Sequence, residues 1–150
     1  MKREMRRKDR ELPEEEAIRI LKESRFGILC TVCADGHPYG IPMHHALEGR
    51  TLYMHCSCEG GLKLENIARS DKACFTAIAG TAGTEEGFTQ GPRSAVAFGR
   101  VQIATGEEER RTGLEALRRG RPQRQPDNAG NASKVLVLRF DIEELTGKGR

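Results

Sequence analysis

One hairpin constrains the fold of this chain more than any other feature of its sequence. Residues 27–34 alternate between two faces that are both mostly apolar, as in a barrel wall that is covered on its outer side. Asp35-Gly36 then favours a two-residue turn in which both positions need positive φ. The chain therefore returns antiparallel over residues 37–47. Because Pro38 and Pro42 cannot donate hydrogen bonds, we expect this returning strand to have a free or irregular edge.

The rest of the sequence predicts four more strands and three helices. Glu48-Gly49 makes a second turn, so the first three strands are expected to form an antiparallel meander. Further strands are predicted over 51–57, 73–79, 93–105 and 135–142, and helices beginning near Pro13, at Gly61 and after Thr105. The order of elements predicts one domain over residues 1–150, with an α+β, mainly β fold around an antiparallel six-stranded barrel with short flanking helices. We expect residues 1–11 to form a basic N-terminal arm and residues 121–133 a polar loop.

Charge and composition narrow the kinds of partner. The 25 Lys and Arg residues nearly balance the 22 Asp and Glu residues, so the net charge of +3 does not indicate nucleic acid. No apolar stretch approaches the roughly 18 residues of a membrane span, and the charged start lacks the apolar run of a signal peptide. The five cysteines show no regular spacing, which fits free thiols in a reducing compartment. We therefore expect a cytoplasmic protein that does not bind membranes.

The densest functional signal is a strand-to-helix junction within residues 53–67. The strand ends in small polar residues, and the helix begins after Gly60-Gly61. Backbone N–H groups at a helix start have no internal partners and the helix dipole adds partial positive charge, so a phosphate is stabilised there. Lys63 can add a full charge and Ser57 a hydroxyl. Such junctions are common, so this segment alone favours an ordinary turn and a surface lysine.

A series of short motifs adds to that signal through its order. The series comprises the KDREL start, the hairpin from Thr31 to Met43, HisCysSer at 55–57 with LysLeuGluAsnIle at 63–67, PheThr at 88–89 and SerAlaValAlaPheGlyArg at 94–100. In this order, from about Met5 to the C-terminus, the chain resembles the flavin-binding split barrels related to pyridoxamine phosphate oxidase. The resemblance is strongest to the branch that contains nitroimidazole-resistance reductases.

The resemblance implies a split β-barrel homodimer with one flavin mononucleotide (FMN) in each of two grooves between the subunits. Residues 41–45 would then run along the isoalloxazine ring, residues 55–57 with Lys63 would hold the phosphate, and Ser94 would approach the ring from the fifth strand. The two prolines independently leave backbone groups available in the segment that would face the ring. The cofactor-binding residues implied in this way are Ile41, Pro42, Met43, His44, His45, His55, Cys56, Ser57, Lys63, Phe88, Thr89 and Ser94.

The sequence also departs from the oxidase pattern. Ile41 stands where the oxidases carry a phosphate-binding arginine, and Leu62 replaces one of two adjacent basic residues. The loop at 121–133 is shorter than the segment that often covers the groove in the resembling branch. Oxidation of pyridoxamine phosphate is therefore not expected. The activity implied instead is an FMN-dependent oxidoreductase that passes hydride from reduced flavin to a small acceptor such as a nitro-aromatic compound.

The histidines are candidates for moving protons. His44 and His45 are adjacent on a strand, so their side chains point to opposite faces and at most one can face the cofactor. In the resembling reductases a histidine near the ring can help deliver protons, which makes His44 and His55 catalytic candidates. A purely structural hydrogen-bonding role for these histidines is the alternative.

Two other functions are consistent with the sequence. The same barrel could store flavin, or bind haem through a histidine, without turnover. Alternatively, Cys56-x-Cys58 beside His55 could serve a zinc or thiol-redox regulator, although a zinc site would need a fourth ligand. Cys30-x-x-Cys33 is interpreted as barrel packing, because strand positions three apart face opposite ways. The last residues, with Lys148 and Arg150, are expected either to fray or to reach the partner's groove.

Overall fold

The computed structural model describes residues 3–80, 92–120 and 135–149. Its strands are β1 (Glu11–Leu12), β2 (Phe26–Val32), β3 (Pro38–His44), β4 (Ala46–Glu48), β5 (Thr51–Ser57), β6 (Lys72–Ala79), β7 (Arg93–Ile103) and β8 (Val135–Lys148). Its helices are α1 (Glu14–Glu23), α2 (Leu62–Arg69) and α3 (Glu107–Arg119), and a 3-10 turn covers Lys8–Arg10. The predictions for Phe88, Thr89, Arg150 and the loop at 121–133 lie outside the described residues.

The sheet closes on itself as a barrel. β3 and β4 are separated in the chain only by His45, yet they stand at the two ends of the hydrogen-bonded path β3-β2-β6-β7-β8-β5-β4. The sheet therefore curls until its ends meet, and residues 38–48 pair with β2 through their first half and with β5 through their second. β3 lies against β5 without strand pairing, which leaves the barrel split there. The predicted α+β split barrel and its meander are confirmed; the predicted second strand is divided into β3 and β4, and β1 is a short additional strand.

The first hairpin forms, but its turn differs from the predicted one. The Gly36 N–H donates to the Cys33 carbonyl (2.9 Å) and the Cys33 N–H donates to the His37 carbonyl (2.8 Å). Gly36 has φ +90°, whereas Asp35 does not have positive φ. This pattern is a type I turn followed by a left-handed glycine, so the loop is one residue longer than the two-residue turn.

The C-terminal strand continues well past its predicted end. β8 runs through Ile142 to Lys148, which is the Cα partner of Ser94. A register shift at Phe98/Gly99 inserts one extra residue into β8, and such a bulge bends a strand around a barrel. A side chain at Gly99 would overlap the carbonyl of Asp141. The predicted frayed end is therefore wrong for Lys148, which is part of the sheet.

The barrel encloses one apolar core. The fully buried interior includes Leu29, Phe75 and Phe140 from three different strands. α1 packs its buried face, with Ala17, Ile20 and Leu21, into this same core. α3 covers the outside of β5 and β8, where Ala116 packs against Tyr53 and Val137. No helix among the described residues is long and apolar enough to cross a membrane.

The outer face of the neighbouring wall is apolar and open. β2 and β6 expose Phe26 (53%) and Ile78 (52%) on this face, together with Ile28 and Val32. Phe98 of β7 is exposed on the same side. The sequence predicts a wall covered on its outside, and among the described residues α3 covers the β5 and β8 part of it.

Candidate functional site

The split between β3 and β5 brings three predicted site residues together. Ala46 of β4 is the Cα partner of Tyr53 on β5, so three residues back from Ala46 and three residues forward from Tyr53 bring Met43 level with Cys56. Lys63, on α2, points its ammonium at the Met43 sulfur, 3.7 Å away. Both Met43 and Cys56 belong to the interior face of the wall. We call this place, where β3, β5 and the start of α2 meet, the gap site.

β3 presents a free backbone edge at the gap site. Within the described residues β3 pairs only with β2, which confirms the free edge predicted from the prolines. Pro38 and Pro42 lack N–H groups, so their pairs with β2 are of the non-hydrogen-bonded kind. Because the two kinds of pair alternate, the Gly40 N–H and C=O also point to the free edge. This edge therefore offers both donors and acceptors.

The start of α2 has unsatisfied backbone donors. Its N-cap, Gly61, makes no side-chain cap, and Gly60 and Gly61 have φ of +97° and +117°. A Cβ added at either glycine would meet no atom within 4 Å, so the approach to the helix start is open. The Ser57 hydroxyl accepts the Glu59 N–H (3.2 Å), which places Ser57 at the same turn.

The three helix starts differ in charge. α1 and α3 each carry three glutamates in the first turn, which offset the positive end of the helix dipole. The first turn of α2 contains Lys63 and one glutamate, Glu65. In the described residues, Lys63 makes its only polar contact with the neutral Met43 sulfur. The gap site therefore combines uncapped N–H groups with a half-buried cation, which suits an anion.

Burial keeps the thiol at the gap site in its protonated form. Desolvation raises the pKa of Cys56 above its ordinary value, and the charge of Lys63 acts in the opposite direction without cancelling the rise. Cys56 is therefore a neutral packing group at neutral pH and not a thiolate nucleophile. Lys63 remains available to an external anion.

Two residues that sequence reasoning did not select hold α2 in place. Asn66 is buried, and its amide donates to the Thr31 hydroxyl (3.1 Å) and to the Cys33 sulfur (3.6 Å). The Arg69 guanidinium donates to the Val32 carbonyl. Both contacts fix α2 against the end of β2, and so they position the helix start. The sequence did contain a signal for Asn66, because a residue three positions after Lys63 lies on nearly the same face of the helix.

The histidines separate as predicted. His44 lies on the outer face, its ring 4.3 Å from that of Phe26 between centroids, with Nδ1 3.4 Å from the Arg25 carbonyl oxygen. His45 turns inward, where its Nε2 donates to the Leu21 carbonyl (2.7 Å) and its ring meets Phe75 edge-on. His55 is exposed on β5. His44 follows Met43 and His55 precedes Cys56, so the two histidines lie opposite each other across the gap, one position along from Met43 and Cys56.

Ser94 is far from the gap site within one chain. Ser94 on β7 pairs with Ile78 on β6. The same register continues on the outer face to Phe26 on β2 and then to His44 on β3. Three strand spacings separate Ser94 from His44, about 14 Å along the wall. Around the other side of the barrel, β8 lies between β7 and β5. The partner of Ser94 on β8 is Lys148 and the partner of His55 is Val137, and these two are eleven residues apart, or roughly 36 Å of strand. The predicted site residues therefore form two separate groups in one chain.

The cysteines do not assemble a metal site in the described parts of the chain, where no three metal-ligating side chains cluster. All five thiols are free. Cys30 faces outward, whereas Cys33 lies beside Asn66, so the Cys30-x-x-Cys33 pair is divided between two sides as predicted. Ile41 packs against the core and Pro42 is exposed on the outer face.

Comparison with known protein families shows to which family this chain belongs. The family model for pyridoxamine 5'-phosphate oxidase matches residues 13–149. The chain belongs to this family. The hairpin, the gap site and α2 all lie within the part of this chain that the pyridoxamine 5'-phosphate oxidase family model matches. The comparison with curated proteins finds no match.

Solved structures of similar fold support the same architecture. A proposed 5-nitroimidazole antibiotic resistance protein from Bacteroides thetaiotaomicron is 24% identical with a TM-score of 0.78, covering 93% of this chain and 86% of that one. An FAD-binding protein from Mesorhizobium loti is 21% identical (TM-score 0.73; coverage 94% and 97%). A flavocytochrome from Azotobacter vinelandii is 19% identical (TM-score 0.75; coverage 98% and 72%). At these identities the likeness establishes the fold alone.

Proposed function

We propose that this chain binds FMN at the gap site and, as a homodimer, uses it to reduce a small acceptor such as a nitro-aromatic compound. The observation that carries the proposal is the position of Lys63. Its half-buried ammonium lies at an uncapped helix start, beside the free edge of β3, and contacts only a neutral sulfur in the described residues. The flavin-binding relatives of the same fold add to this support.

The phosphate of FMN fits the start of α2. Lys63 supplies charge, the first-turn N–H groups supply directed donors, and the Ser57 hydroxyl can donate while its oxygen accepts from Glu59. The open glycines leave room for the phosphate oxygens. Because α2 is fixed by Asn66 and Arg69, these donors are preorganised and need no rearrangement on binding.

The isoalloxazine ring fits the free edge of β3. The pyrimidine side of a flavin carries alternating donors and acceptors, and the Gly40 backbone group offers one of each on that edge. The β3 segment runs from this edge to His44, at the level of His55 across the gap. Flavin supplies hydride transfer when bound, and the protein supplies position and electrostatics. His44 and His55 are placed to hold a proton beside the ring.

A second subunit accounts for the separation of Ser94 from the gap site. Ser94 lies about 14 Å along the wall from His44, so its predicted contact with the flavin is most simply made to the partner's cofactor. The outer-face row next to Ser94 exposes Phe26 and Ile78 by more than half, which favours a covering surface. We therefore propose an isologous dimer in which this row lies against the partner's gap site.

Reconstitution tests the proposal. The purified chain is mixed with FMN, freed of unbound flavin and analysed by absorption spectroscopy and light scattering. We expect one retained FMN per chain in a dimer. After anaerobic reduction, addition of a nitroimidazole should restore the oxidised flavin spectrum faster with protein than with free FMN. Retention of FMN without faster reoxidation would mean that the protein stores flavin and does not catalyse the reduction. An intense Soret band, with haem bound in place of flavin, would overturn the proposal.

A further inference from the structure

We propose that Cys30 and Cys74 form a dithiol on the outer wall of the barrel that is oxidised reversibly to an intrachain disulfide. The two residues lie on adjacent strands, β2 and β6, and are direct Cα partners in the antiparallel register. The proposal rests on this register and on the surroundings of the two thiols. It is independent of flavin binding.

The spacing of the two strands suits a disulfide. Directly opposed residues of an antiparallel pair have Cα atoms about 4.5 or 5.5 Å apart, depending on the kind of pair. Disulfides span Cα separations of about 4.4 to 6.8 Å. Both side chains also project from the same face, because their neighbours Leu29 and Phe75 are both fully buried in the interior.

The disulfide should be easy to reduce. Cys30 and Ile28 are two residues apart on β2, so their backbone N–H and C=O groups point to the same side of the strand. Ile28 faces Pro42 in a non-hydrogen-bonded pair on the β3 side. The two kinds of pair alternate across a strand, so the Cys30–Cys74 pair is hydrogen-bonded on the β6 side. Its Cβ atoms are then about 5.5 Å apart, against about 3.5 to 4.5 Å in a relaxed disulfide. Closing this distance strains the bond, and strained disulfides are the labile ones.

The two thiols are separated from the other cysteines. Cys56 faces the interior at the gap site, and Cys33 is held beside Asn66. Cys58 is exposed in the turn before α2. Cys30 and Cys74 are both half-buried, and the Cys74 sulfur lies 3.9 Å from the Thr76 hydroxyl. The nearest thiol to each member of the pair across the strands is therefore the other member.

The oxidation balances with a peroxide as oxidant. Burial raises the pKa of Cys74, so Cys30 is the thiol that, as thiolate, attacks a peroxide oxygen, which breaks the O–O bond, forms a sulfenic acid and releases hydroxide. The second thiol then attacks the sulfenic sulfur, so the S–S bond forms and the S–O bond breaks, releasing water. In total two thiols and one hydrogen peroxide give one disulfide and two waters. A dithiol reductant reverses the change by thiol–disulfide exchange.

Peptide mapping of the full chain tests the proposal. Trypsin places Cys30 and Cys33 together in residues 26–50, Cys74 alone in residues 73–93, and Cys56 with Cys58 in residues 51–63. The Cys33→Ser variant leaves Cys30 as the single cysteine of its peptide. The reduced protein is treated with hydrogen peroxide, the remaining thiols are alkylated, and digestion follows without reductant. Cys74→Ser in the same background is the matched control.

We expect the cross-linked pair of peptides 26–50 and 73–93, with loss of two alkylatable thiols per chain, and full recovery of both with dithiothreitol. The protein should run as a single chain on a non-reducing gel. With Cys74→Ser, the cross-link disappears and Cys30 stays open to alkylation or forms a sulfenic acid. Cross-links that join either peptide to residues 51–63, a disulfide between chains, or oxidation of Cys30 and Cys74 without a shared bond would each overturn the proposal.

Discussion

The Lys63→Met variant examines the phosphate contact most sharply, because methionine keeps the length of the side chain and removes its charge. Lys63 is half-buried and is not paired with a carboxylate in the described residues. Hydrogen bonds to charged groups contribute about 1.5 to 3 kcal/mol. Because each 1.4 kcal/mol is tenfold in affinity, the variant should bind FMN about 10- to 150-fold more weakly.

Riboflavin provides the matched ligand, since it has the same ring and lacks the phosphate. Titration of flavin fluorescence should show that Lys63→Met weakens FMN binding and leaves riboflavin binding nearly unchanged. Lys72→Met, an exposed lysine on β6, is the control variant and should match the wild type with both ligands. An equal loss for FMN and riboflavin, or no loss for FMN, would refute the assignment of the phosphate to the start of α2.

Three further predictions follow from the fold. Gly99→Ala should lower the free energy of unfolding by about 1 to 3 kcal/mol in urea titrations, because the new Cβ overlaps the Asp141 carbonyl; an unchanged midpoint would mean that β8 is not so close. Ile78→Glu should shift light scattering from dimer to monomer, and an intact dimer would place the interface elsewhere. Burial raises the pKa of Cys56 and Cys74, so the unfolded chain loses these protons first as pH rises. The free energy of unfolding should therefore fall above about pH 8.5, and it should fall less in the variant that carries both Cys56→Ser and Cys74→Ser. An equal fall in both proteins would exclude these thiols as the cause.

Local signals in the sequence predicted most of the fold. The Asp35-Gly36 turn, the alternation in β2 and the two prolines of β3 are features of neighbouring residues, and each determines structure within a few positions. The antiparallel barrel follows from these elements with little freedom, although it has eight strands and not the predicted six. The turn itself was one residue longer than predicted, because only Gly36, and not Asp35, takes positive φ.

Long-range contacts could not be read from the sequence in the same way. β8 extends to Lys148 because β7 pairs with it, and no local pattern in Thr146-Gly147 signals that pairing. The distance of Ser94 from the gap site depends on the order of strands around the barrel, which single segments do not contain. The role of Asn66 in holding α2 likewise depends on where the end of β2 falls in space.

The crystal structure of the protein grown with saturating FMN tests the central claim most directly. We expect the FMN phosphate to lie within hydrogen-bonding distance of the Lys63 ammonium and the first-turn N–H groups of α2. We also expect the ring to lie along the free edge of β3. A flavin seated elsewhere on the barrel, or a phosphate bound away from the start of α2, would contradict it.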